Sequence, residues 1–172
     1  MGRIYVAESA VLVGDVSIGE DSSVWHYAVL RADLDAIVIG KGSNIQDHCT
    51  LHVDKDQPIR IGNGVVVGHG AIVHGCVIED SCTIGMGAII TSGAHIGKHS
   101  YVGAGAVVTE NTKVPPGSIV LGVPGKVKGP ASEEHIARIR RGAEGYVKLA
   151  RKSLPARPVL VGSPSARLDG AV

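Results

Sequence analysis

The stretch IEDSCTIGMGAIITSGAHIGKHSYVGAGAVVTENTKVPPGSIV, residues 78–120, decides the fold, because an aliphatic residue returns at every sixth position. The series comprises Ile78, Ile84, Ile90, Ile96, Val102, Val108, Val114 and Val120. A small residue stands four places after most members, as Ala88 and Ala94 do. Such repetition is the sequence signature of a parallel β-helix. Three hexapeptides then form one triangular coil, with the aliphatic residues inside the prism and the small residues at its crowded corners.

The same six-residue period extends towards the N-terminus in three sections, at residues 6–30, 39–51 and 61–73. Three extra residues interrupt the period at 31–38 and four extra residues at 53–60, and we expect both insertions to bulge from the prism as loops. The steps from Val6 to Val120 predict about six coils, stacked about 4.8 Å apart.

The composition fits an interior of aliphatic ladders and tight turns. Aromatic residues make up 3% of the chain and Phe is absent, whereas there are 24 glycines. A core built from large rings is therefore not expected. The formal net charge of +1 gives no electrostatic reason to propose nucleic acid or an anionic membrane as a partner.

Targeting signals and disulfides are not indicated by the sequence. No apolar run approaches the roughly 18 residues that span a bilayer, and the first ten residues lack the pattern of a signal peptide. We therefore predict a cytoplasmic protein. The three cysteines, Cys49, Cys76 and Cys82, are an odd number without CxxC spacing, which favours reduced thiols over a disulfide framework or a cysteine zinc site.

A helix is predicted where the repeat ends. SEEHIARIRRGAEGYVKLARKSL has an apolar face and a capping serine, which indicates a helix from Ser132 to about Lys152 packed along the prism. We divide the chain into a hexapeptide-repeat β-helix over 1–127, a C-terminal helix over 128–153 and an extended or mobile tail over 154–172.

Residues at equivalent places in consecutive coils should form columns on the surface of the prism. Counting three hexapeptides for each coil gives one column of Arg31, His52 and His74, and another of His26, Asp47 and His69 on the preceding face. His52 and His74, with α-carbons about 4.8 Å apart, can converge on one metal ion.

His69 lies around a corner of the prism and can join His52 and His74 only if prisms pack in a threefold ring. The columns therefore predict a homotrimer with three sites, each shared between two chains. A cross-subunit polar cluster without a metal is the alternative that the same residues allow.

Two segments, RADLDAIVIGKGSNIQDHCTLHV at 31–53 and VGHGAIVHGCVIEDSCTIGMGA at 67–88, closely resemble the gamma-class carbonic anhydrase family. The similarity covers about residues 5–150. It implies a mainly β fold, namely a left-handed parallel β-helix of about six triangular coils with a C-terminal α-helix packed along the prism. It also implies a lyase that reversibly hydrates CO2 to bicarbonate by a metal-bound hydroxide, at zinc sites shared between trimer subunits.

The resemblance assigns roles to individual residues. It makes His52, His69 and His74 the zinc ligands, with His69 supplied by a neighbouring chain. Iron(II) or cobalt(II) would suit the same imidazoles, because histidine does not discriminate among these metals. The other matched residues are the intersubunit ion-pair residues Arg31, Asp33 and Asp47, the active-centre amides Asn44 and Gln46, and the helix residue Tyr146.

The chain departs from active family members at two positions. They carry glutamates where this chain has Leu34 and Lys55, and the second glutamate serves as a proton shuttle. Asp54 and Asp56 are the nearest substitutes, and slow turnover is the alternative. Two other functions stay open: an acyl-CoA-using acyltransferase or thioesterase, favoured by GVPGK at 122–126, and a structural or assembly protein with a vestigial metal site.

Overall fold

A computed structural model describes residues 3–153 together with 159–160 and 167–168. These residues form a parallel β-helix of about six coils followed by one α-helix, as the hexapeptide period predicts. The predicted extended or mobile tail, 154–172, lies mostly outside the described residues. Its two described segments are short strands that pair in parallel with an early strand of the prism.

The helix α1 is Glu133–Ser153. The strands are β1 (Tyr5–Val6), β2 (Val11–Ile18), β3 (Ser23–Val24), β4 (Val29–Ile39), β5 (Asn44–Ile45), β6 (Thr50–His52), β7 (Ile59–Ile61), β8 (Val66–Val67), β9 (Ile72–His74), β10 (Val77–Ile78), β11 (Thr83–Ile84), β12 (Ile89–Ile90), β13 (His95–Ile96), β14 (Tyr101–Val102), β15 (Val107–Val108), β16 (Lys113–Val114), β17 (Ser118–Leu121), β18 (Lys126–Pro130), β19 (Val159–Leu160) and β20 (Arg167–Leu168).

The prism has three faces. Face A holds β1, β3, β5, β8, β11, β14 and β17 in that order, and β18 closes it in antiparallel pairing. Face B holds the first part of β4 with β6, β9, β12 and β15, and face C holds the last part of β4 with β7, β10, β13 and β16. The long strands β2 and β4 run around the corner between faces B and C and pair with each other.

The interior is the predicted aliphatic ladder. Leu51, Val73 and Ile90 stack in register on face B and are fully buried, as are the corner residues Cys49 and Ala71. Burying each large aliphatic side chain contributes about 1.5–3 kcal/mol, so the continuous ladder supplies the main driving force for folding.

The first insertion differs from the predicted loop, because β4 remains a strand through it. The register with β2 shifts between Gly14 and Val16, so residues 33–36 stand opposite Asp15 alone and bulge outwards. Gly14 makes this possible: its φ is +79°, and a Cβ at that position would lie 1.9 Å from the carbonyl oxygen of Ala32. The second insertion forms the predicted loop over residues 53–58, because residues 59 and 60 already belong to β7, and a bridge between Asp54 and Gln57 closes it.

Helix α1 begins as predicted. The Ser132 hydroxyl accepts a hydrogen bond from the backbone N–H of His135, and the Ser132 carbonyl accepts one from Ile136. The helix packs on face A against β1, β3, β5 and β8, burying Ile139, Ala143 and Ala150. Among the described residues, no helix is both long and apolar enough to span a bilayer.

Candidate metal centre

His52 and His74 lie side by side on the outside of face B, confirming the predicted column. β4 pairs Arg31 with His52, and β6 and β9 pair His52 with His74. Nδ1 of His52 is 2.9 Å from Nε2 of His74, and the ring centroids are 4.9 Å apart. Two nitrogens bound to one tetrahedral zinc ion would lie about 3.4 Å apart, so this pair is close to the separation that a shared metal requires.

His69 lies in the other predicted column. Val24, Ile45 and Val67 are in register on face A, and this places His26, Asp47 and His69 one above another at the corner that follows. Nδ1 of His69 is 2.8 Å from a carboxylate oxygen of Asp47. The column prediction is thus confirmed by the strand register and by this contact.

The corner of His69 and the end of β9 at His74 flank the same strand of face B. The chain turns after β8 at His69, crosses face B as β9 and reaches His74 at its end. Five residues of extended chain span on the order of 15 Å, so His69 cannot share an ion with His74 of its own chain. Consistently, the described residues of one chain include no group of three or more metal-binding side chains arranged around a common point.

Each of the three histidines has an acidic side chain close to one of its ring nitrogens. Nε2 of His52 is 3.1 Å from Asp33, Nδ1 of His69 contacts Asp47, and Nδ1 of His74 is 3.5 Å from Asp54. Histidines that ligate metals characteristically hold their second nitrogen in this way, which fixes the orientation of the ring. The other nitrogen of each ring is the one available to a metal.

Asp33 also contacts Arg31, so the column of Arg31 and His52 is tied together by one carboxylate. Desolvation raises the pKa of Asp33, but hydrogen bonds from the Arg31 guanidinium, its own backbone and His52 outweigh it and hold that pKa below its usual range. Asp33 therefore stays ionised and acts as an acceptor at neutral pH. Within one chain, Arg31 and Asp33 pair with each other.

The predicted amides lie beneath the corner of His69. Asn44 is fully buried and Gln46 is 5% exposed. The side-chain N–H of Gln46 donates to Asn44 over 3.0 Å, and its carbonyl oxygen accepts the backbone N–H of His69 over 3.2 Å. Gln46 therefore holds the main chain at His69 in place.

Tyr146 reaches the same corner from α1. Its ring packs edge-on against Trp25 at 5.5 Å, and its hydroxyl lies 3.5 Å from Nε2 of His69. Desolvation, together with the negative charge of Asp47 nearby, raises the pKa of Tyr146. The hydroxyl therefore keeps its proton and can donate a hydrogen bond beside the free nitrogen of His69.

Known proteins share this chain's repeat and much of its sequence. Residues 75–110 match the family described as bacterial transferase hexapeptide (six repeats). A probable carbonic anhydrase of Methanocaldococcus jannaschii is 52% identical over 148 residues, which cover 86% of this chain and 93% of that protein. Gamma carbonic anhydrase 2 of Arabidopsis thaliana mitochondria is 42% identical, over 86% of this chain and 55% of its own length. The chain belongs to the gamma-class carbonic anhydrase family.

The fold is shared with solved structures that are described as transferases. The crystal structure of a putative acetyltransferase from Bacillus cereus superposes with a TM-score of 0.80 at 36% identity, covering 88% of this chain and 91% of that one.

The sequence patterns above do not single out two residues that lie beside the candidate site. Ser92 bonds His74, and Trp25 supports Tyr146. Column counting could have found Ser92, because one further coil above His74 leads to Thr91 and its neighbour. No spacing rule points to Trp25, which precedes the column of His26 by one residue.

The cysteines of this gamma-class chain are confirmed as free thiols, and all three are buried. Burial raises the pKa of Cys49 to about 11 and the pKa values of Cys76 and Cys82 to about 12. The reactive species is the thiolate, which these shifts suppress at pH 8.

We expect Ellman's reagent to titrate no thiol in the native protein at pH 8 and three in guanidinium chloride. Rapid native reaction of Cys76, two residues after His74, would contradict the assignment.

Proposed function

We propose that the protein is a metal-dependent carbonic anhydrase that reversibly converts CO2 and water to bicarbonate, at sites shared between the subunits of a homotrimer. The observation that carries the proposal is the pair of half-sites on the two sides of face B. One half-site is His52 with His74, the other is His69, and each imidazole has a carboxylate within 3.5 Å of one ring nitrogen. A cytoplasmic location remains part of the proposal.

The donor set suits a catalytic metal. Three neutral imidazoles are typical ligands of zinc sites that leave a coordination position open, and iron(II) or cobalt(II) accept the same donors. A metal bound there supplies a Lewis acid that makes water nucleophilic near neutral pH. The chain's own residues orient the ligands: Asp33 holds His52, Asp47 holds His69, and the buried Gln46 holds the backbone at His69.

Threefold symmetry joins the two half-sites. A closed ring relates subunits by rotation without translation, so in prisms that run parallel to the threefold axis residues meet across a seam when they lie at about the same height along the prism. His69 and His74 belong to the same coil, and His52 lies in the adjacent coil. If face B points towards the threefold axis, the corner with His69 in one subunit abuts the edge with His52 and His74 in the next.

The outward side of face B is suited to be that contact. Its outward residues form one ladder of Val11, Val29, Thr50, Ile72, Ile89 and Val107. The corresponding ladder on face C is more polar: Ser17, Val38, Arg60, Val77, His95 and Lys113. In one chain, Ile72 is 41% exposed, and Met86, which follows His69 in its column, is 59% exposed. A second copy of the chain would cover these apolar side chains.

Two remaining family residues contribute at the seam. Tyr146 places its hydroxyl beside Nε2 of His69, where it can donate a hydrogen bond to an oxygen of substrate or product. Arg31 stands at the top of the column that ends in His74, and in the proposed trimer it would face the neighbouring subunit. Leu34 and Lys55, which replace the family's glutamates, leave Asp54 and Asp56 as the acidic residues of the adjacent loop.

The test is metal content measured together with CO2 hydration by stopped flow. After removal of metal with a chelator and reloading with zinc, or with iron(II) under anaerobic conditions, we expect about one metal per chain and hydration activity that appears only in the loaded protein. Loaded protein with one metal per chain and no hydration would contradict the proposal and favour a structural or assembly protein with a vestigial metal site.

A second function is tested in the same preparation. A pocket of about 290 Å³ lies between α1 and face A, beside His69 and lined by Met86 and Arg138, and the similar Bacillus cereus structure is titled a putative acetyltransferase. Thioester chemistry needs only one histidine as a base, whereas the proposed metal site needs both His52 and His74. Acetyl-CoA turnover that survives His52→Ala would therefore support an acyltransferase or thioesterase.

A further inference from the structure

We infer that Ser92 and Asp54 are positioning residues that fix the imidazole of His74 in the tautomer with a free Nε2. This role rests on the proposed function, because His74 is a ligand of the proposed metal site. Ser92 and Asp54 together would orient the ring of His74, as a single carboxylate orients the rings of His52 and His69.

The three side chains form a continuous chain of contacts. Nδ1 of His74 is 2.9 Å from the hydroxyl oxygen of Ser92, and that hydroxyl is 3.0 Å from a carboxylate oxygen of Asp54. The direct distance from Nδ1 of His74 to Asp54 is longer, at 3.5 Å. Ser92 therefore bridges the ring and the carboxylate.

Counting donors and acceptors sets the tautomer. An ionised carboxylate only accepts, so the single hydroxyl proton of Ser92 goes to Asp54. The oxygen of Ser92 must then accept a proton from His74, and Nδ1 of His74 carries that proton. Nε2 is left with its lone pair, and it is Nε2 that faces His52 at 2.9 Å. The arrangement thus aims the metal-binding lone pair at the neighbouring ligand.

The fold holds Asp54 in this position. Asp54 lies two residues after the end of β6, in the loop before β7, and its carbonyl accepts the backbone N–H of Gln57 over 3.1 Å. Gly75 lets the loop approach the prism, since a Cβ there would sit 3.3 Å from the main chain and side chain of Gln57. The insertion therefore links the coil of His52 to Ser92, which lies two coils further along.

Four variants separate positioning from mere stability. We expect Ser92→Ala and Asp54→Asn to weaken zinc affinity roughly 10- to 100-fold, which is the usual effect of losing a partner that orients a metal ligand. Ser92→Thr keeps the hydroxyl and should restore most of the affinity. Asp56→Asn is the matched control, because Asp56 lies in the same loop, has a φ of +60° that asparagine tolerates, and should bind zinc as the unmodified protein does.

The measurements are zinc affinity, by competition with a chromophoric chelator, and the ¹⁵N shifts of His74 in histidine-labelled, metal-free protein. We expect an Nδ1–H tautomer in the unmodified protein and loss of that preference in Ser92→Ala. Unchanged affinity and unchanged shifts in Ser92→Ala would overturn the inference. Both readouts are independent of CO2 hydration, so a protein that binds zinc in the predicted way without hydrating CO2 would refute only the proposed function.

Discussion

Chains carrying His69→Ala and chains carrying His74→Ala are each expected to lose CO2 hydration, and co-expression of the two is expected to restore part of it. The two substitutions damage different halves of the proposed site. His69 lies at the corner before β9, and His74 lies at its end, on the order of 15 Å away. A site built from two chains can therefore combine the intact half of one variant with the intact half of the other.

The restored fraction follows from cyclic symmetry. In any trimer that contains both variants, one of three seams joins an intact His69 to an intact pair of His52 and His74. Random association of equal amounts makes about three quarters of the trimers mixed, so about a quarter of all sites should bind metal and work. Both the metal content and kcat per chain should return to about a quarter of the values for the unmodified protein.

A matched pair of variants controls for nonspecific rescue. His52→Ala and His74→Ala damage the same half-site, so no seam in their mixed trimers is intact and the mixture should stay inactive. His95→Ala should leave activity unchanged, because His95 pairs with Glu79 on face C, away from the half-sites. If native mass spectrometry shows mixed trimers of His69→Ala and His74→Ala without recovered activity, the shared site is refuted.

The features that follow from spacing could be predicted from the sequence. The hexapeptide period fixes which residues point inwards and which residues stack, so the column of His52 and His74 follows from counting alone. The same counting places His69 on another face. These predictions succeed because one coil of a β-helix differs little from the next.

The features that depend on local side-chain geometry could not be predicted. The spacing predicts a loop at the first insertion, but pairing with β2 and the close approach allowed by Gly14 keep it within a bulged strand. The bridge from Asp54 through Ser92 to His74 depends on the path of the loop and on side-chain rotamers, which no period encodes. Likewise, the sequence does not show that Gln46 turns towards Asn44 and the backbone of His69.

Ile89→Asp is expected to convert the proposed trimer to a folded monomer that has lost at least 90% of its bound metal. The Ile89 side chain points outwards from face B, in the ladder between Ile72 and Val107. Around a threefold axis, three carboxylates would be brought together in an apolar contact, and an unpaired buried charge costs several kcal/mol. Because Ile89 lies one coil beyond His74, loss of metal would result from separation of the half-sites rather than from local damage.

Val77→Asp is the control variant, because it introduces the same charge on a face that is not the proposed contact. Val77 also points outwards from the prism, but on face C, where its neighbours in the ladder are Arg60 and His95 and a carboxylate is accommodated. The Val77→Asp protein should remain trimeric by sedimentation velocity and keep its metal. Circular dichroism should show that both variants are folded. A trimeric, fully metallated Ile89→Asp protein would exclude face B as the threefold contact. A folded Ile89→Asp monomer that still binds one metal per chain and hydrates CO2 would show that His52 and His74 need no imidazole from a second subunit.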